Sequence, residues 1–157
     1  MKKIMFVCHG NICRSPMAEF IFKDLLKKRR LSERFFVSSS ATSTEEILNG
    51  VGNPVYPPAK KELLKHGISC DGKTAVQLKG SDYEKYDLFI GMDSMNIRNM
   101  KRILGEDGEK KIFRLMDLTD RPGDVSDPWF TRAFDVTYKD ISEGCFCLLE
   151  KLIREEL

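Results

Sequence analysis

Hydrophobic and polar residues alternate along the chain in short segments that predict a regular succession of strands and helices. An apolar run at residues 3–7 indicates a buried strand, and residues 16–30 carry apolar side chains at helical spacing. The helical positions form two rows, which are Met17, Ile21 and Leu25, and Ala18, Phe22 and Leu26. The chain therefore opens with a strand, a short polar loop and a helix.

The rest of the chain continues this alternation. Further strands are predicted at residues 35–39, 87–92 and 111–116, and helices at residues 57–67 and 94–104. A last helix is predicted from the apolar positions Ile141, Cys145, Leu148, Leu149 and Leu152. This order predicts an α/β fold, with a parallel sheet covered by helices on both faces and ligands bound beyond the carboxyl ends of the strands. The polar stretch at residues 40–58 is expected to be an irregular surface loop.

Composition limits the classes of partner. The 157 residues, 41% hydrophobic and 32% charged, fit one globular domain spanning residues 1–157. A net charge of +2 with interspersed signs gives no electrostatic reason to expect a nucleic acid or a membrane as partner. The first apolar run is too short for a signal peptide or a membrane span, so the protein is expected to be cytoplasmic.

The cysteines argue against a disulfide framework and against a zinc site, because their number is odd and no pair has CxxC spacing. They are Cys8, Cys13, Cys70, Cys145 and Cys147. We therefore expect free thiols, and neither a metal nor another cofactor.

The first loop, in the segment VCHGNICRSP at residues 7–16, has the composition of an anion site. It joins a strand end to a helix start, where backbone N–H groups and the helix dipole can converge on one anion. Gly10 and Asn11 can adopt the backbone conformations that turn amides inward. Arg14 adds a planar fork that matches two phosphate oxygens. No nucleotide-binding glycine motif is present, so the predicted ligand is a terminal phosphate.

The same positive field would stabilise a thiolate at Cys8 and make it a nucleophile. Ser15 could donate a hydrogen bond to that sulfur. The loop side chains and amides expected to bind phosphate belong to His9, Gly10, Asn11, Ile12, Cys13, Arg14 and Ser15.

A phosphoryl transfer to cysteine also needs an acid for the leaving group and later a base for water. Among the aspartates at residues 117–127, Asp127 is the preferred candidate because it precedes Pro128 in DPWF, and the other three are expected to be solvated. Trp129 and Phe130 would then form a wall of the substrate cleft.

The motifs CHGNICRSP and DPWF together resemble those of the low-molecular-weight protein tyrosine phosphatases, and the segments VSSSAT, KHGI and MDSMN agree with that family. The resemblance covers nearly the whole chain. It implies a four-stranded parallel sheet of flavodoxin-like type and a monomer that acts on phosphotyrosine in proteins and releases inorganic phosphate.

The resemblance also implies residue roles. Cys8 would be the nucleophile, Arg14 the phosphate clamp and Asp127 the general acid. Asn11, Ser39 and His66 would form a hydrogen-bond network that holds the loop. One departure concerns the segment STEEILNGVGNP, which is longer than usual and lacks the aromatic residue that lines the cleft in relatives.

Three alternative functions are open at this stage. Protein arginine phosphatases of the family carry threonine where Ile12 stands, so Ile12 favours tyrosine. Arsenate reductases share the loop but need two more cysteines for a disulfide relay, for which Cys70 is one candidate. A non-catalytic phosphate-binding module would not need both Cys8 and Asp127.

Cys13 has two possible roles. It could capture an oxidised Cys8 as a disulfide, or it could be a packing residue.

Overall fold

The computed structural model covers residues 1–157 and has a four-stranded parallel sheet in the order β2-β1-β5-β6. The strands are β1 Lys2–Cys8, β2 Phe35–Ala41, β3 Ile47–Leu48, β4 Val51–Gly52, β5 Leu88–Gly91 and β6 Ile112–Arg114. The helices are α1 Arg14–Lys28, α2 Pro57–Lys65, α3 Ser94–Leu104, α4 Pro128–Thr131 and α5 Phe134–Ile153. The predicted fold class is therefore confirmed.

The alternation of side chains along β1 divides the interior into two cores. Ile4, Phe6 and Cys8 face the larger core, which packs under α1 and α5. Met5 and Val7 face a smaller core beneath α3. Both faces of the central strand β1 are covered, which explains why its residues 4–8 form a continuous apolar run in the sequence. None of the helices is long and apolar enough to span a bilayer.

The structure differs from the sequence predictions in three elements. The stretch at residues 40–58 is not wholly irregular, because β3 and β4 pair in it as an antiparallel hairpin. The strand predicted at residues 111–116 is shorter, since a 3-10 helix takes over at Leu115–Leu118. The C-terminal helix begins earlier than its apolar core positions indicated, at Phe134. The helix predicted at residues 94–104 has those bounds.

Candidate active site

The loop between β1 and α1, residues 8–15, is called the phosphate cradle here, and it curls around the Cys8 sulfur. Asn11 has a φ of 58°, in the left-handed region that asparagine tolerates. Its amide donates to Cys8 Sγ at 3.3 Å, and the Ser15 amide does so at 3.4 Å. Ser15 Oγ lies 3.0 Å from the same sulfur. The start of α1 has no side-chain cap, so its first amides and its dipole are available to an anion beside Cys8.

Arg14 is 3% exposed and is fixed by groups from two distant loops. Its Nη1 donates to Asp93 Oδ2 at 2.7 Å and to the Val125 carbonyl at 2.8 Å. Its Nη2 lies 3.6 Å from Asp127 Oδ2. Burial alone would lower the Arg14 pKa, but the nearby Cys8 sulfur and the Asp93 carboxylate more than offset it, so the pKa is raised above its usual value. The guanidinium therefore stays charged and oriented.

Asn11 also links the cradle to β2. Its Nδ2 donates to Ser15 Oγ at 2.7 Å and to Ser39 Oγ at 2.9 Å, while its Oδ1 accepts from the Val76 amide. Ser39 Oγ in turn donates to Glu19 Oε1 at 2.6 Å. The predicted contacts of Asn11 and Ser39 are thus present, and the chain of hydrogen bonds ends on a buried carboxylate.

His66 does not take part in this network, and that prediction is wrong. The His66 ring stacks on Tyr138 with 3.7 Å between ring centroids, and its Nε2 lies 3.2 Å from Glu62 Oε2. His66 is the residue after the end of α2, and its contacts with Glu62 of α2 and Tyr138 of α5 hold the ring away from β2. Lys73 occupies the place expected for it, since its ammonium donates to the Ser39 carbonyl at 3.0 Å and lies 3.7 Å from Glu19 Oε1.

Asp127 stands immediately before α4, close to the cradle. Its Oδ1 accepts from the Trp129 amide at 3.0 Å and caps α4, while its Oδ2 faces Arg14. The carboxylate is about one-third exposed, so it can meet both solvent and a bound ligand. Asp117 and Asp124, expected to be only solvated, are exposed but pair with Arg114.

Trp129 and Phe130 are exposed beside the cradle, at 47% and 80% of their surface. Tyr56 packs on Trp129 with ring centroids 4.8 Å apart, and the Tyr56 amide donates to the Ile12 carbonyl. The aromatic wall is therefore tied to the cradle through Tyr56, a residue that the sequence did not single out.

A cavity of about 320 Å³ opens above Cys8. Its lining comprises Cys8, His9, Gly10, Ile12, Cys13, Arg14, Glu45, Glu46, Asp127, Trp129 and Phe130. Every predicted catalytic and cleft residue lines this cavity. Asn11 and Ser15 do not line it, and they contact the Cys8 sulfur from the buried side of the cradle. Glu45 and Glu46 were not predicted. They come from the long segment after β2, and His9 Nε2 lies 3.0 Å from Glu45 Oε2.

The five cysteines are free. Burial, followed by the charge at Cys8, raises the pKa of the Cys13 thiol to about 12, so Cys13 stays protonated beside Cys8. Cys145 is fully buried and points its sulfur at the Ala18 carbonyl, as a core residue does. Cys70 is also buried and its pKa is raised by burial. This arrangement gives no support to a thiol relay of the arsenate reductase kind. No group of three or more His, Cys, Asp or Glu side chains is placed to hold a metal ion.

Three further residues, which hold Arg14 and Ser39 in place, were also not predicted from the sequence. Asp93 had a usable signal, because an aspartate directly after a parallel strand lies at the same sheet edge as the cradle. Glu19 had a weaker one, since it is an acidic residue between the apolar neighbours Ala18 and Phe20 of the predicted helix. Lys73 had none, because only the fold brings its ammonium to Ser39.

The comparisons with known proteins agree with this geometry. A family model described as low molecular weight phosphotyrosine protein phosphatase matches residues 3–157. The low molecular weight protein-tyrosine-phosphatase YfkJ of Bacillus subtilis is 36% identical over 158 residues, which cover 99% of each chain. The protein-tyrosine-phosphatase PtpA of Staphylococcus aureus is 31% identical over 156 residues, or 99% of this chain and 96% of its own.

Solved structures give the same result. The crystal structure of YfkJ from Bacillus subtilis superposes with a TM-score of 0.93 at 35% identity, covering 100% of this chain and 98% of that one. A variant of the YwlE arginine phosphatase with a phosphorylated active-site serine superposes with a TM-score of 0.81 at 27% identity, covering 96% and 95%. The fold is thus shared by proteins named for two different phosphorylated residues.

Proposed function

The chain belongs to the low molecular weight phosphotyrosine protein phosphatase family, and we propose that it hydrolyses phosphotyrosine in proteins, and small aryl phosphates, through a phosphocysteine at Cys8. The observation that carries this proposal is the convergence on one sulfur of two backbone amides, the Ser15 hydroxyl and a helix start, with Arg14 beside them. Such a setting surrounds the sulfur with hydrogen-bond donors and can hold a phosphate next to it.

In the proposed first step the Cys8 thiolate attacks phosphorus, an S–P bond forms and the P–O bond to the tyrosine ring breaks. Asp127 gives its proton to the leaving phenolic oxygen. Arg14 and the cradle amides bind the three oxygens that carry the charge in the transition state.

In the second step Asp127, now a carboxylate, accepts a proton from water as that water attacks phosphorus. The S–P bond breaks, inorganic phosphate leaves and the Cys8 thiolate is restored. Ser15 assists both steps, because its hydroxyl can donate to the sulfur anion.

Turnover of 4-nitrophenyl phosphate with a chelator present tests the proposal. We expect hydrolysis to continue, because Arg14 and the cradle amides supply the charge stabilisation, and we expect Cys8→Ser to abolish it. Cys147→Ser is the matched control, since Cys147 lies on α5 outside the cavity and should leave the rate unchanged. Loss of activity on chelation, or full activity in Cys8→Ser, would exclude the covalent route.

We also propose that the enzyme is a cytoplasmic monomer whose Cys8 is redox-sensitive. Free thiols suit a reducing compartment. Peroxide would convert the Cys8 thiolate to a sulfenic acid, and the Cys13 thiol would displace water from it to form a disulfide. Without Cys13 the sulfenic acid stays open to a second peroxide and becomes a sulfinic acid, which thiols do not reduce. Dithiothreitol should therefore restore activity in the wild type and fail to do so in Cys13→Ser. Equal recovery in both proteins would leave Cys13 a packing residue.

A further inference from the structure

The mouth of the cavity carries more negative charge than the proposed reaction needs. Three carboxylates line it, from Glu45, Glu46 and Asp127, whereas the only guanidinium, that of Arg14, lies at the floor and is almost wholly buried. The proposed chemistry uses Asp127 alone. A phosphate dianion that enters must therefore pass two carboxylates that repel it, unless another part of the substrate compensates them.

Both glutamates are held in place by contacts with the cradle. Glu45 Oε2 is paired with His9, and Glu46 Cγ lies within 3.3 Å of the position that a Cβ on Gly10 would occupy. Asn53 binds Glu46 twice, through its amide to the Glu46 carbonyl and through Nδ2 to Oε2 at 2.7 Å. The Oε1 atom of each glutamate has no hydrogen-bond partner in the protein, so one oxygen of each is available to a ligand.

The segment that carries the glutamates is fixed at both ends. At one end, the amides of Thr42 and Ser43 donate to the carbonyls of Cys8 and His9. At the other, Gly52 lies so close to Ala75 that an added Cβ would approach its carbonyl oxygen to 2.0 Å. The carboxylates are thus positioned before a substrate arrives, which lowers the entropy cost of using them.

We propose that Glu45 and Glu46 form an acidic rim that selects phosphotyrosine segments with Lys or Arg beside the phosphorylated residue. The proposal rests on the phosphatase function proposed above and names its substrate class. A cationic neighbour pairs with the free carboxylate oxygens while the phosphate occupies the cradle and the ring lies along Trp129 and Phe130. An acidic neighbour meets like charge instead. Glu46 is only partly exposed, so its pairing is less screened by solvent than that of Glu45.

Three phosphotyrosine peptides of equal length test the rim, with Lys, Gln or Glu on both sides of phosphotyrosine. For the wild type we expect kcat/KM to be about tenfold higher for the Lys peptide than for the Glu peptide, with the Gln peptide between them. Each ion pair between a peptide side chain and a rim carboxylate is expected to change kcat/KM by roughly two- to fivefold. Added salt should shrink this ratio. The double variant Glu45→Gln/Glu46→Gln should bring the ratio close to one.

The matched control is Glu33→Gln/Glu84→Gln, which makes the same change in net charge. Glu33 and Glu84 are exposed and precede β2 and β5, so they lie at the opposite edge of the sheet from the cradle. This variant should keep the wild-type ratio. A ratio near one in the wild type, or an unchanged ratio in Glu45→Gln/Glu46→Gln, would overturn the proposal.

Binding to Cys8→Ser separates the rim from the chemistry. Calorimetric Kd values for the three peptides should follow the same order as kcat/KM, and an equal Kd for the Lys and Glu peptides would refute the rim. Hydrolysis of 4-nitrophenyl phosphate by the wild type reports on the proposed function alone. Hydrolysis without peptide preference refutes only the rim, and no hydrolysis of any substrate refutes the phosphatase.

Discussion

At the scale of single residues, Asp127 combines two roles that substitution can separate. It caps α4 through Oδ1 and faces Arg14 and the cavity through Oδ2. Asp127→Ala should slow the hydrolysis of phosphotyrosine by about 10²–10⁴-fold, since a poor leaving group needs a proton. The loss with 4-nitrophenyl phosphate should be smaller, because nitrophenolate leaves more easily. Steady-state kinetics with both substrates measures the difference.

Asp127→Asn is the control for the structural role. Asparagine keeps an oxygen that can accept a hydrogen bond from the Trp129 amide, but its amide N–H is too weak an acid to protonate the leaving group. We expect it to be as slow as Asp127→Ala. If Asp127→Asn were as active as the wild type, or if both substrates lost equally, Asp127 would be structural only.

Ile12 is the residue that we expect to separate the tyrosine and arginine alternatives. It is partly buried, it lines the cavity, and its carbonyl accepts from the Tyr56 amide, so its side chain is held at the mouth of the cradle. An apolar, branched side chain offers no hydrogen bond to a phosphoguanidinium. Phosphotyrosine peptides should therefore have the higher kcat/KM, and Ile12→Thr should narrow the gap to phosphoarginine peptides. A wild type that prefers phosphoarginine would reverse this assignment.

At the scale of elements, Asp93 joins the start of α3 to the active site. Its Oδ1 accepts from the Asn96 amide at 2.7 Å and caps α3, and its Oδ2 accepts from Arg14. Asp93→Asn keeps the oxygen that caps α3 but turns an amide N–H₂ toward Arg14 in place of its charged acceptor. We therefore expect kcat/KM to fall roughly 10–100-fold and the free energy of unfolding to fall as well, because the guanidinium stays buried. Asp93→Ala should also lose about 1 kcal/mol of stability with the cap.

Asp124→Asn is the matched control for Asp93→Asn. Asp124 also accepts from the first turn of α3, at the Ser94 amide, but it contacts Arg114 and not Arg14. Kinetics and urea unfolding of the three variants check the prediction. A normal kcat/KM in Asp93→Asn would mean that the Val125 carbonyl and the cradle orient Arg14 without this carboxylate.

Elements with a strong local pattern could be predicted from the sequence, and contacts between distant segments could not. The bounds of α3 follow from its apolar positions, and the cradle follows from the order of residues between β1 and α1. The β3–β4 hairpin has only two residues in each strand, too few for a period to be detected. Lys73 was missed for a different reason. Lys73 contacts Ser39 across 34 residues of sequence, and no local pattern indicates such a contact. His66 was predicted for that place because the segment KHGI marks the end of a helix.

At the scale of the whole molecule, the parallel sheet explains why residues so far apart in sequence meet. Cys8, Ala41 and Asp93 each lie at or just beyond the carboxyl end of a strand, and Asp127 follows the loop after β6. Strands that run in one direction bring these ends to the same edge. The two cores on either side of β1 hold that edge rigid, so a buried charge such as Arg14 can be fixed by carboxylates from two loops.

The most direct test of the covalent mechanism is a rapid denaturing quench of the enzyme during turnover of 4-nitrophenyl phosphate, followed by mass spectrometry. In Asp127→Asn the second step lacks its base, so a phosphoryl group should accumulate on the peptide that contains Cys8 and Cys13. Fragment ions should place it on Cys8. A variant that turns over substrate with no phosphoryl group on the protein, or with one on any residue other than Cys8, would contradict the account.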